Sequence, residues 1–500
     1  MALMKLPPVS AFEAFDFSGG LNLRDAPSKL EPGDSPDSMN VTLDERGGGA
    51  KRLGLLRVNA GALAGVAKNL FYSGALAVNI IQVGATLYKT SDWVTVTSFA
   101  TFTTSARAGL CDFNGKIVAV HPVDGVFDYD GTTWASRNAT VKGTCIAPWQ
   151  NKLWVAGDGP RVWWSNAGSS ATWTTASDFN DLREKDNKAC TAIGIGQGMD
   201  VAGRPGLLVF KEDSAYRINS SSTGTYTTID ARAGCSGPLA LVSLFGYTIA
   251  FNKSGIYRCD GNTMELVSSK IEPIFDRAQI NLTYLPDVVA GVFQDRAVFS
   301  FPFGAAQTTN NRTLEYHPLD GWIVPHNFGA AGYTIDSTGK LLSSSPTTAY
   351  VRETFRGGQD EGAAIASRFQ TRWFVIEKGY RCQMQRLRIA GSGTFDMYVR
   401  TDFELGQGEL YDVVLAGEAF TWNGAGINWN GAGVVWGPTV YEEYQDFHAL
   451  GAASAVSFVF EETSSVIGSG PALLRDGASP EIGAFSFYSL LLDYVRLGLS

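Results

Sequence analysis

Short apolar runs and turn residues alternate along the chain from about residue 66 to residue 353, and the pattern recurs. Each copy contains an uninterrupted apolar run, such as KIVAV, LLVF or RAVFSF, and then a segment with an aromatic residue, such as GVFDYD, SAYRI or TLEYH. Apolar runs of about four to eight residues between turn signals are typical of buried strands. The pattern therefore predicts strand pairs joined by polar hairpins and loops.

The repeat has the length of a four-stranded propeller blade, about 40 to 50 residues. Extending it from 69–99 to 330–353 gives about seven units, of which the last is short. We expect that last unit to be completed by a strand from near residue 60. The predicted fold class is all-β, with a β-propeller of about six to eight blades over residues 61–355.

Residues 1–60 have a different composition from the repeats. They are rich in glycine and proline, with apolar residues spaced through them, and they contain one helix signal. That signal is a cap at Asp34 or Ser35 with Pro36 in the first turn, and it predicts a short helix to about Asn40. We interpret the segment as an extended N-terminal arm that docks on another surface.

After Arg356 the repeat ends and longer alternating strands begin. Stretches such as RFQTRWFVIEKGYRCQMQRLRIAG, SAVSFVFEETSS and AFSFYSLLLDYVRLGLS alternate apolar and polar residues, as antiparallel sheets with one buried face do. We predict a C-terminal β-sandwich over 356–500. The stretch FTWNGAGINWNGAGVVWGP within 420–438 contains Trp422, Trp429 and Trp436, and we expect a compact strand-turn insertion whose indoles pack on the sandwich or on a neighbouring subunit.

Charge and cysteine content exclude several classes of protein. The net charge of −9 and the pI near 5.1 disfavour a nucleic-acid grip, although an acidic wall suits DNA that slides past without sticking. Six cysteines and four histidines are too far apart for a zinc site, and we expect free thiols. The chain has no continuous apolar run of the roughly 20 residues that a membrane span needs, and no signal peptide is evident.

Candidate catalytic residues are weak. The stretch FDYDGTTW, residues 127–134, is similar to a sialidase-type box, but Tyr129 occupies the aspartate position and Phe127 the serine position. The acids Asp128, Asp130, Glu212 and Glu315 lie in or near predicted turns, where solvated acids are common. We expect no catalytic, cofactor-binding or metal-binding residues and no cofactor.

The basic clusters are small. They are Lys51-Arg52, Arg183-Lys185-Lys188, and a C-terminal group formed by Arg368, Arg372, Lys378, Arg381, Arg386 and Arg388. The last group lies on predicted strands beside Glu377, which favours a sheet face or a subunit contact over a nucleic-acid footprint.

The N-terminal arm carries a recognisable pattern, F-x-G-G-L-N-x-R-x-A-P-x-x-L-x-x-G, followed by N-V, a glycine run and R-L-G. This pattern resembles the start of tailed-bacteriophage virion proteins, most closely the tail-nozzle or packaged-DNA stabilisation proteins of short-tailed phages. The candidate assembly residues that match are Phe17, Gly19, Gly20, Leu21, Asn22, Arg24, Pro27, Asn40 and Arg52.

The resemblance implies a structural virion protein that forms a homo-oligomeric ring, with six copies favoured, below the portal and adaptor. Such a ring extends the DNA channel and retains the genome until ejection; DNA passes through the lumen without sequence-specific binding and the protein does not insert into a membrane. It implies location in the virion tail after assembly in the bacterial cytoplasm. Two alternatives stay open: a phage receptor-binding or glycan-cleaving propeller, and a tail-tip or baseplate protein of a long-tailed phage.

Overall fold

The protein is nearly all-β and divides into two compact units. The computed structural model describes residues 9–14, 16–43, 47–183, 186–199, 204–230, 232–376, 378, 380–402, 408–415, 420–421, 435–436, 441–446, 452–462 and 486–499. Residues 55–354 form one unit, which we call the ring unit, and residues 1–54 with 355–500 form the other, the split unit. The all-β class that the sequence predicts is confirmed.

The ring unit contains six four-stranded antiparallel sheets and the first four strands of a six-stranded seventh sheet. Sheets 1 to 3 follow one another along the chain. Sheet 1 consists of Ala67–Ser73, Val78–Val83, Thr86–Thr90 and Thr97–Thr101; sheet 2 of Gly109–Phe113, Lys116–His121, Gly125–Tyr129 and Trp134–Asn138; sheet 3 of Cys145–Trp149, Lys152–Gly157, Gly159–Trp164 and Phe179–Asp181.

Sheets 4 to 7 repeat this order. Sheet 4 consists of Cys190–Met199, Pro205–Lys211, Ala215–Ile218 and Tyr226–Asp230; sheet 5 of Leu241–Leu244, Tyr247–Asn252, Gly255–Cys259 and Met264–Leu266; sheet 6 of Val289–Phe293, Arg296–Phe301, Arg312–Tyr316 and Ile323–His326; sheet 7 of Gly332–Ile335, Leu341–Ser344, Val351–Thr354 and Leu55–Arg57. Two 3₁₀ helices, Ser269–Phe275 and Leu282–Asp287, join sheets 5 and 6.

The seven sheets close into a ring. The first strand of each sheet contacts the first strand of the next, and the first strand of sheet 7 contacts that of sheet 1. The fourth strand of sheet 7 comes from the other end of the unit, because Leu55–Arg57 pairs antiparallel with Val351–Thr354. The expected completion of the last repeat by a strand from near residue 60 is therefore confirmed.

Apolar residues of neighbouring sheets form the core of the ring unit. Sheets 3 and 4 share a cluster that contains Trp149, Trp154, Trp164 and Tyr216, all buried. The indole of Trp154 packs on the other two, with ring centroids 5.4 Å from Trp149 and 5.0 Å from Trp164. This cluster therefore buries one face of sheet 3 against sheet 4.

Three sheets share an ion pair at the same position of the repeat. In each, a cation at or just before the start of the second strand contacts a carboxylate on the third strand. The register partner of that carboxylate lies two residues after the cation, so the two charged residues are diagonal neighbours. The pairs are Lys116–Asp128 at 3.1 Å, Arg296–Glu315 at 2.7 Å and Lys340–Glu353 at 3.3 Å. Diagonal neighbours on one sheet face are within reach of long side chains. These three sheets therefore share an ion pair as well as a strand arrangement.

The split unit contains a twelve-stranded sheet built from both ends of the chain. Its strands are Val9–Ala14, Asp37–Met39, Val41–Leu43, Gly49–Lys51, Ser367–Gln370, Phe374–Val375, Tyr380–Thr401, Glu409–Leu415, Tyr441–Asp446, Ala452–Ala453, Ala455–Glu462 and Ser486–Leu499. The long strand Tyr380–Thr401 pairs with Ser486–Leu499 through its first half and with Ala455–Glu462 through its second.

N-terminal strands are integral members of this sheet. Asp37–Met39 pairs with Ser367–Gln370, and Val9–Ala14 pairs with Ser486–Leu499. Gly49–Lys51 also pairs with Ser486–Leu499. The first 54 residues therefore lie in the same compact unit as the C-terminal part of the chain.

The prediction of a short helix between Asp34 and Asn40 is wrong. Asp34–Ser35 and Asp37–Met39 are strands, and the 3₁₀ helix of this segment is Pro27–Lys29. The hydroxyl of Ser35 donates to the carbonyls of Asp37 and Gln370, at 2.9 and 2.7 Å, instead of capping a helix. Pairing with a distant strand overrides the local capping signal.

Several shorter elements complete the split unit. Gly20–Leu21 pairs in parallel with Asp34–Ser35, and Gln359–Asp360 pairs with Ala363–Ala364. In the tryptophan-glycine stretch, Phe420–Thr421 and Val435–Trp436 pair antiparallel. Trp422 and Trp429, and with them the expected packing of the indoles, lie outside the described residues.

Candidate assembly site

Six of the nine candidate assembly residues are buried in the split unit. These are Phe17, Gly20, Leu21, Asn22, Asn40 and Arg52, while Gly19 is partly buried. Arg24 and Pro27 are exposed. The motif thus separates into residues that build the unit and residues that its surface presents.

Phe17 and the two glycines fix the start of the segment. The Phe17 ring meets Phe369 edge to face, with centroids 6.0 Å apart. The amide of Gly19 donates to the carbonyl of Gly33 at 3.0 Å, and a Cβ on Gly19 would lie 2.4 Å from Oδ1 of Asp34. A side chain at residue 19 would therefore push the two parallel strands apart, which explains the glycine in physical terms.

Asn22 is the hydrogen-bonding hub of the next turn. Its Nδ2 donates to carboxylate oxygens of Asp34 at 2.7 Å and Asp25 at 3.0 Å. Its Oδ1 accepts from the amides of Arg24 and Asp25, both at 3.1 Å. Both ends of one buried amide side chain are thereby satisfied, as burial of a polar group requires.

Asn40 and Arg52 join the N-terminal segment to residues 360–366. Asn40 has a φ of 58°, and its Nδ2 donates to the carbonyl of Ala366 at 2.6 Å. Nε of Arg52 donates to Oδ1 of Asn40 at 2.9 Å, and the same guanidinium grips both carboxylate oxygens of Asp360, at 2.8 and 2.5 Å. A two-pronged contact of this kind holds position more strictly than a single charge pair.

Lys51 forms a second buried ion pair. Its Nζ lies 2.7 Å from Oε1 of Glu462, and both side chains are buried. Burial raises the pKa of Glu462, and the Lys51 ammonium counteracts this only in part. Among the described residues, Oε2 of Glu462 has no hydrogen-bond partner, which is consistent with the raised pKa.

The exposed part of the motif is one continuous segment, Leu23–Lys29, which ends in the 3₁₀ helix Pro27–Lys29 and which we call the docking loop. All seven of its residues are exposed, and it includes Arg24 and Pro27. Buried residues hold both of its ends, Asn22 before it and Leu30 after it. The carbonyl of Leu30 accepts from Nη1 of Arg372 at 3.2 Å, which fixes the second end.

The C-terminal basic residues that the sequence groups together have separate partners. Arg368 pairs with Asp37 at 2.7 Å and also with Glu461, and Arg381 lies 3.3 Å from Asp402. These contacts agree with the preference for a sheet face. Lys185 and Glu377 lie outside the described residues.

The candidate catalytic acids are occupied by structural contacts. Asp128 is buried and binds Lys116, Arg137 and Ser170, at 3.1, 2.8 and 2.7 Å. Asp130 accepts from the amides of Thr132 and Thr133, and these bonds lower its pKa to about 2. Both acids therefore serve the turn and the sheet that contain them.

The other two acids are also paired. Glu212 lies 3.2 Å from Lys188 and 3.1 Å from Lys253. Glu315 is buried against Arg296 at 2.7 Å and His326 at 2.6 Å. Burial alone would raise the pKa of Glu315, but the Arg296 guanidinium and the hydrogen bond with His326 lower it to about 2.

The partners of the motif residues were not evident from sequence. Ala366, Asp360 and Gln370 lie more than 300 positions after Asn40, Arg52 and Ser35, which they contact. Asp34, the near partner of Asn22, was assigned to a helix cap. Within the described parts of the chain no group of three or more histidine, cysteine or acidic side chains could hold a metal ion. No helix among them is long and apolar enough to cross a bilayer.

Comparisons with known proteins find solved structures of low similarity. No protein-family model matches the chain, and no curated protein matches it. A computationally designed protein is 9% identical over 60% of this chain and 100% of its own, with a TM-score of 0.39. A chain of the Mitotic Checkpoint Complex is 10% identical over 66% and 96%, with a TM-score of 0.40. The extracellular domain of a putative one component system from B. thetaiotaomicron is 8% identical over 75% and 56%, with a TM-score of 0.45. At these TM-scores the similarities carry no functional conclusion.

Proposed function

We propose that the ring unit is a seven-bladed β-propeller and that the protein is a structural component of a phage virion. In this role copies of the chain form a ring in the tail, six being favoured, that extends the DNA channel below the portal and adaptor. The ring helps to retain the packaged genome until ejection. It has no catalytic role and no cofactor, and DNA passes through its lumen without sequence-specific contacts.

The observation that carries this proposal is the division of the N-terminal motif. The residues that resemble phage tail-nozzle proteins are mostly buried and hold the docking loop at Asn22 and Leu30. Seven consecutive exposed residues between two anchored ends form a presented surface. In a cyclic ring each subunit uses two different patches, and the docking loop is our candidate for one of them.

The chemistry of the ring unit supports a structural role over glycan cleavage. A glycosidase needs two carboxyl groups facing a sugar across a cleft. Asp128 and Glu315 are instead buried and bound to cations within their own sheets. The acidic net charge of −9 suits a channel wall that DNA slides past without sticking.

Negative-stain microscopy of the purified protein tests the proposal. We expect closed rings with a hole wide enough for a DNA duplex. A monomer or trimer that binds or cleaves surface polysaccharide would contradict the ring proposal and favour the receptor-binding alternative. In micrographs of the assembled particle, location of this chain at the tip of a long tail would favour the baseplate alternative.

Variants in the docking loop test its part in assembly. Leu23→Glu places a charge on an exposed apolar residue of the loop, and we expect loss of rings with an unchanged melting temperature. Val123→Glu, at a somewhat more exposed apolar residue of the ring unit, is the matched control and should leave rings intact. If the Leu23→Glu variant still forms oligomeric rings, the docking loop does not form a contact between subunits.

A further inference from the structure

Three segments of the ring unit meet at one arginine near its centre. The first strands of successive sheets contact one another, so they surround the centre of the unit. Arg107 lies just before the first strand of sheet 2, Asp287 just before that of sheet 6 and Ala331 just before that of sheet 7. Nη2 of Arg107 donates to the carbonyl of Ala331 at 3.4 Å and lies 3.6 Å from Oδ1 of Asp287. The guanidinium therefore reaches past sheet 1, which lies between sheets 2 and 7.

Sheet 1 brings a second cation to the same place. Its first strand has a β-bulge at Lys68, and a bulge turns a side chain out of the regular alternation of a strand. Nζ of Lys68 donates to the carbonyl of Ser105 at 3.1 Å, close in the chain to Arg107, and the Lys68 side chain is exposed. We call the group formed by Lys68, Arg107, Asp287 and the Ala331 carbonyl the axial site.

Buried amide side chains hold both walls of the axial site. Gln82 donates to the carbonyl of the residue before Arg107 at 2.7 Å and accepts from the amide of the residue after it at 3.0 Å. On the opposite wall, Nδ2 of Asn310 donates to the carbonyls of Asp287 and Ala330, both at 2.8 Å. Both amide side chains are buried. The backbone that carries the charged groups is thus fixed in advance, as a binding site requires.

The Arg107 guanidinium has fewer acceptors than its burial demands. Its side chain is 13% exposed, and in the described parts of the chain the Ala331 carbonyl is its one hydrogen-bond acceptor. Burial lowers the pKa of Arg107, and the charge of Asp287 counteracts this only in part because that carboxylate is 58% exposed. A guanidinium carries several N–H donors, and a buried ion is costly unless they are satisfied. An anion at the axial site would remove that cost.

We propose that the axial site binds a small oxyanion of the inorganic phosphate class between Arg107 and Lys68. A planar guanidinium donates two parallel hydrogen bonds to one oxyanion, and an ammonium adds a point charge. Two cations at one place match a doubly charged oxyanion better than a single carboxylate. Asp287 weakens the binding, because its carboxylate repels a second anion.

The bound oxyanion ties together the segments that begin sheets 1, 2, 6 and 7. These sheets lie on both sides of the point where the ring unit closes, since sheet 7 contacts sheet 1. The inference concerns the ring unit alone and does not depend on the proposed virion role.

Isothermal titration calorimetry with sodium phosphate at constant ionic strength tests the proposal. We expect saturable binding by the parent protein, and Arg107→Gln should weaken it by about tenfold or more. Asp287→Asn should tighten it by about threefold, a direction that a folding defect does not produce. No saturable binding by the parent protein, or an unchanged affinity in Asp287→Asn, would overturn the proposal. Equal binding by Arg107→Gln would also overturn it, since it would show an adventitious ion only.

A lysine pair and a second anion sharpen the test. Lys68→Ala should weaken phosphate binding by about threefold. Lys340→Ala is the matched control and should leave the affinity unchanged, because Lys340 is an exposed lysine at the opposite end of the first strand of sheet 7 from Ala331. Sodium acetate should bind more weakly than phosphate. A preference for acetate, or equal losses in the two lysine variants, would contradict a phosphate-class site at Lys68 and Arg107.

Discussion

The ring unit and the split unit use similar strands in opposite ways. Six of the seven sheets in the ring unit are made of four strands that follow one another along the chain. In the split unit, Asp37–Met39 pairs with Ser367–Gln370, and that strand pairs with Ala455–Glu462. The first arrangement depends on short-range pairing and the second on long-range pairing, which requires the whole chain.

Two buried glutamates, one in each unit, differ in the direction of their pKa shifts. Glu315 in the ring unit contacts the Arg296 guanidinium and the His326 ring, and its pKa is lowered. Glu462 in the split unit pairs with Lys51 and has a raised pKa. Burial opposes the charge of both carboxylates, and the number of contacts to each decides the direction of its shift.

Removing a core indole should have the largest effect and should separate the two units. Trp154→Ala empties a fully buried site between sheets 3 and 4, and we expect the ring unit to lose about 4 kcal/mol of unfolding free energy. Hydrogen exchange followed by peptide should show faster exchange in residues 145–218 than in residues 367–401.

The partly exposed Trp173 is the control for this substitution. Trp173→Ala should cost much less, because less of its indole is removed from solvent. Equal losses in both units after Trp154→Ala would mean that they unfold together.

The two glutamates should give the units opposite responses to pH. The lowered pKa of Glu315 contributes stability that is present above its ordinary value of 4.5 and is lost as the pH falls toward about 2, on the order of 3 kcal/mol in full. The raised pKa of Glu462 contributes stability that is present below 4.5 and is lost as the pH rises through the raised value. Unfolding of each unit between pH 2 and pH 7, followed by peptide-resolved exchange, measures both.

Glutamine variants isolate each carboxyl group. Glu315→Gln should flatten the acid-side slope of the ring unit, and Glu462→Gln should flatten the neutral-side slope of the split unit. A slope that persists in its own glutamine variant would assign that pH dependence to another group.

Loss of one guanidinium should weaken the split unit by a smaller amount. Arg52→Ala removes the grip on Asp360 and the bond to Asn40, and we expect a cost of about 2 kcal/mol because the remaining carboxylate is partly exposed. Urea unfolding measures it. Lys29→Ala, at an exposed cation of the same segment, should change stability by less than about 0.5 kcal/mol.

Thiol labelling should give the smallest effect, because we expect no cysteine to react in the native state. Burial raises the pKa of Cys145, Cys190 and Cys235 to about 12, and all six thiols are buried. A thiol reagent should therefore modify no cysteine of the native protein at neutral pH and all six after denaturation. Rapid labelling of one native cysteine would show that its part of the chain opens.

Sequence alone predicted the ring unit far better than the split unit. Apolar runs such as KIVAV became second strands of sheets, and the short last repeat indicated its closing strand, because both signals come from short-range patterns. In the N-terminal segment a local signal failed. The cap signal at Asp34 indicated a helix to about Asn40, but Asp37–Met39 is a strand that pairs with Ser367–Gln370.

The candidate site was predictable as a set of residues but not as a geometry. The motif identified Asn22, Asn40 and Arg52, which are buried and hydrogen-bonded. It did not indicate that Arg24 and Pro27 would be the exposed members. Exposure follows from the tertiary partners at both ends of the docking loop, and a spacing pattern does not contain them.

The closing strand of sheet 7 has a consequence for synthesis of the chain. Leu55–Arg57 emerges early from the ribosome, but its partner Val351–Thr354 follows about 300 residues later. At roughly 5 to 20 residues per second, the first strand waits on the order of 15 to 60 s before the ring can close. The N-terminal strands of the split unit wait longer, since their partners Ser367–Gln370 and Ser486–Leu499 are made later still. Through this interval the nascent chain carries unpaired strand edges. We therefore expect its folding yield to depend on a chaperone that binds it at the ribosome.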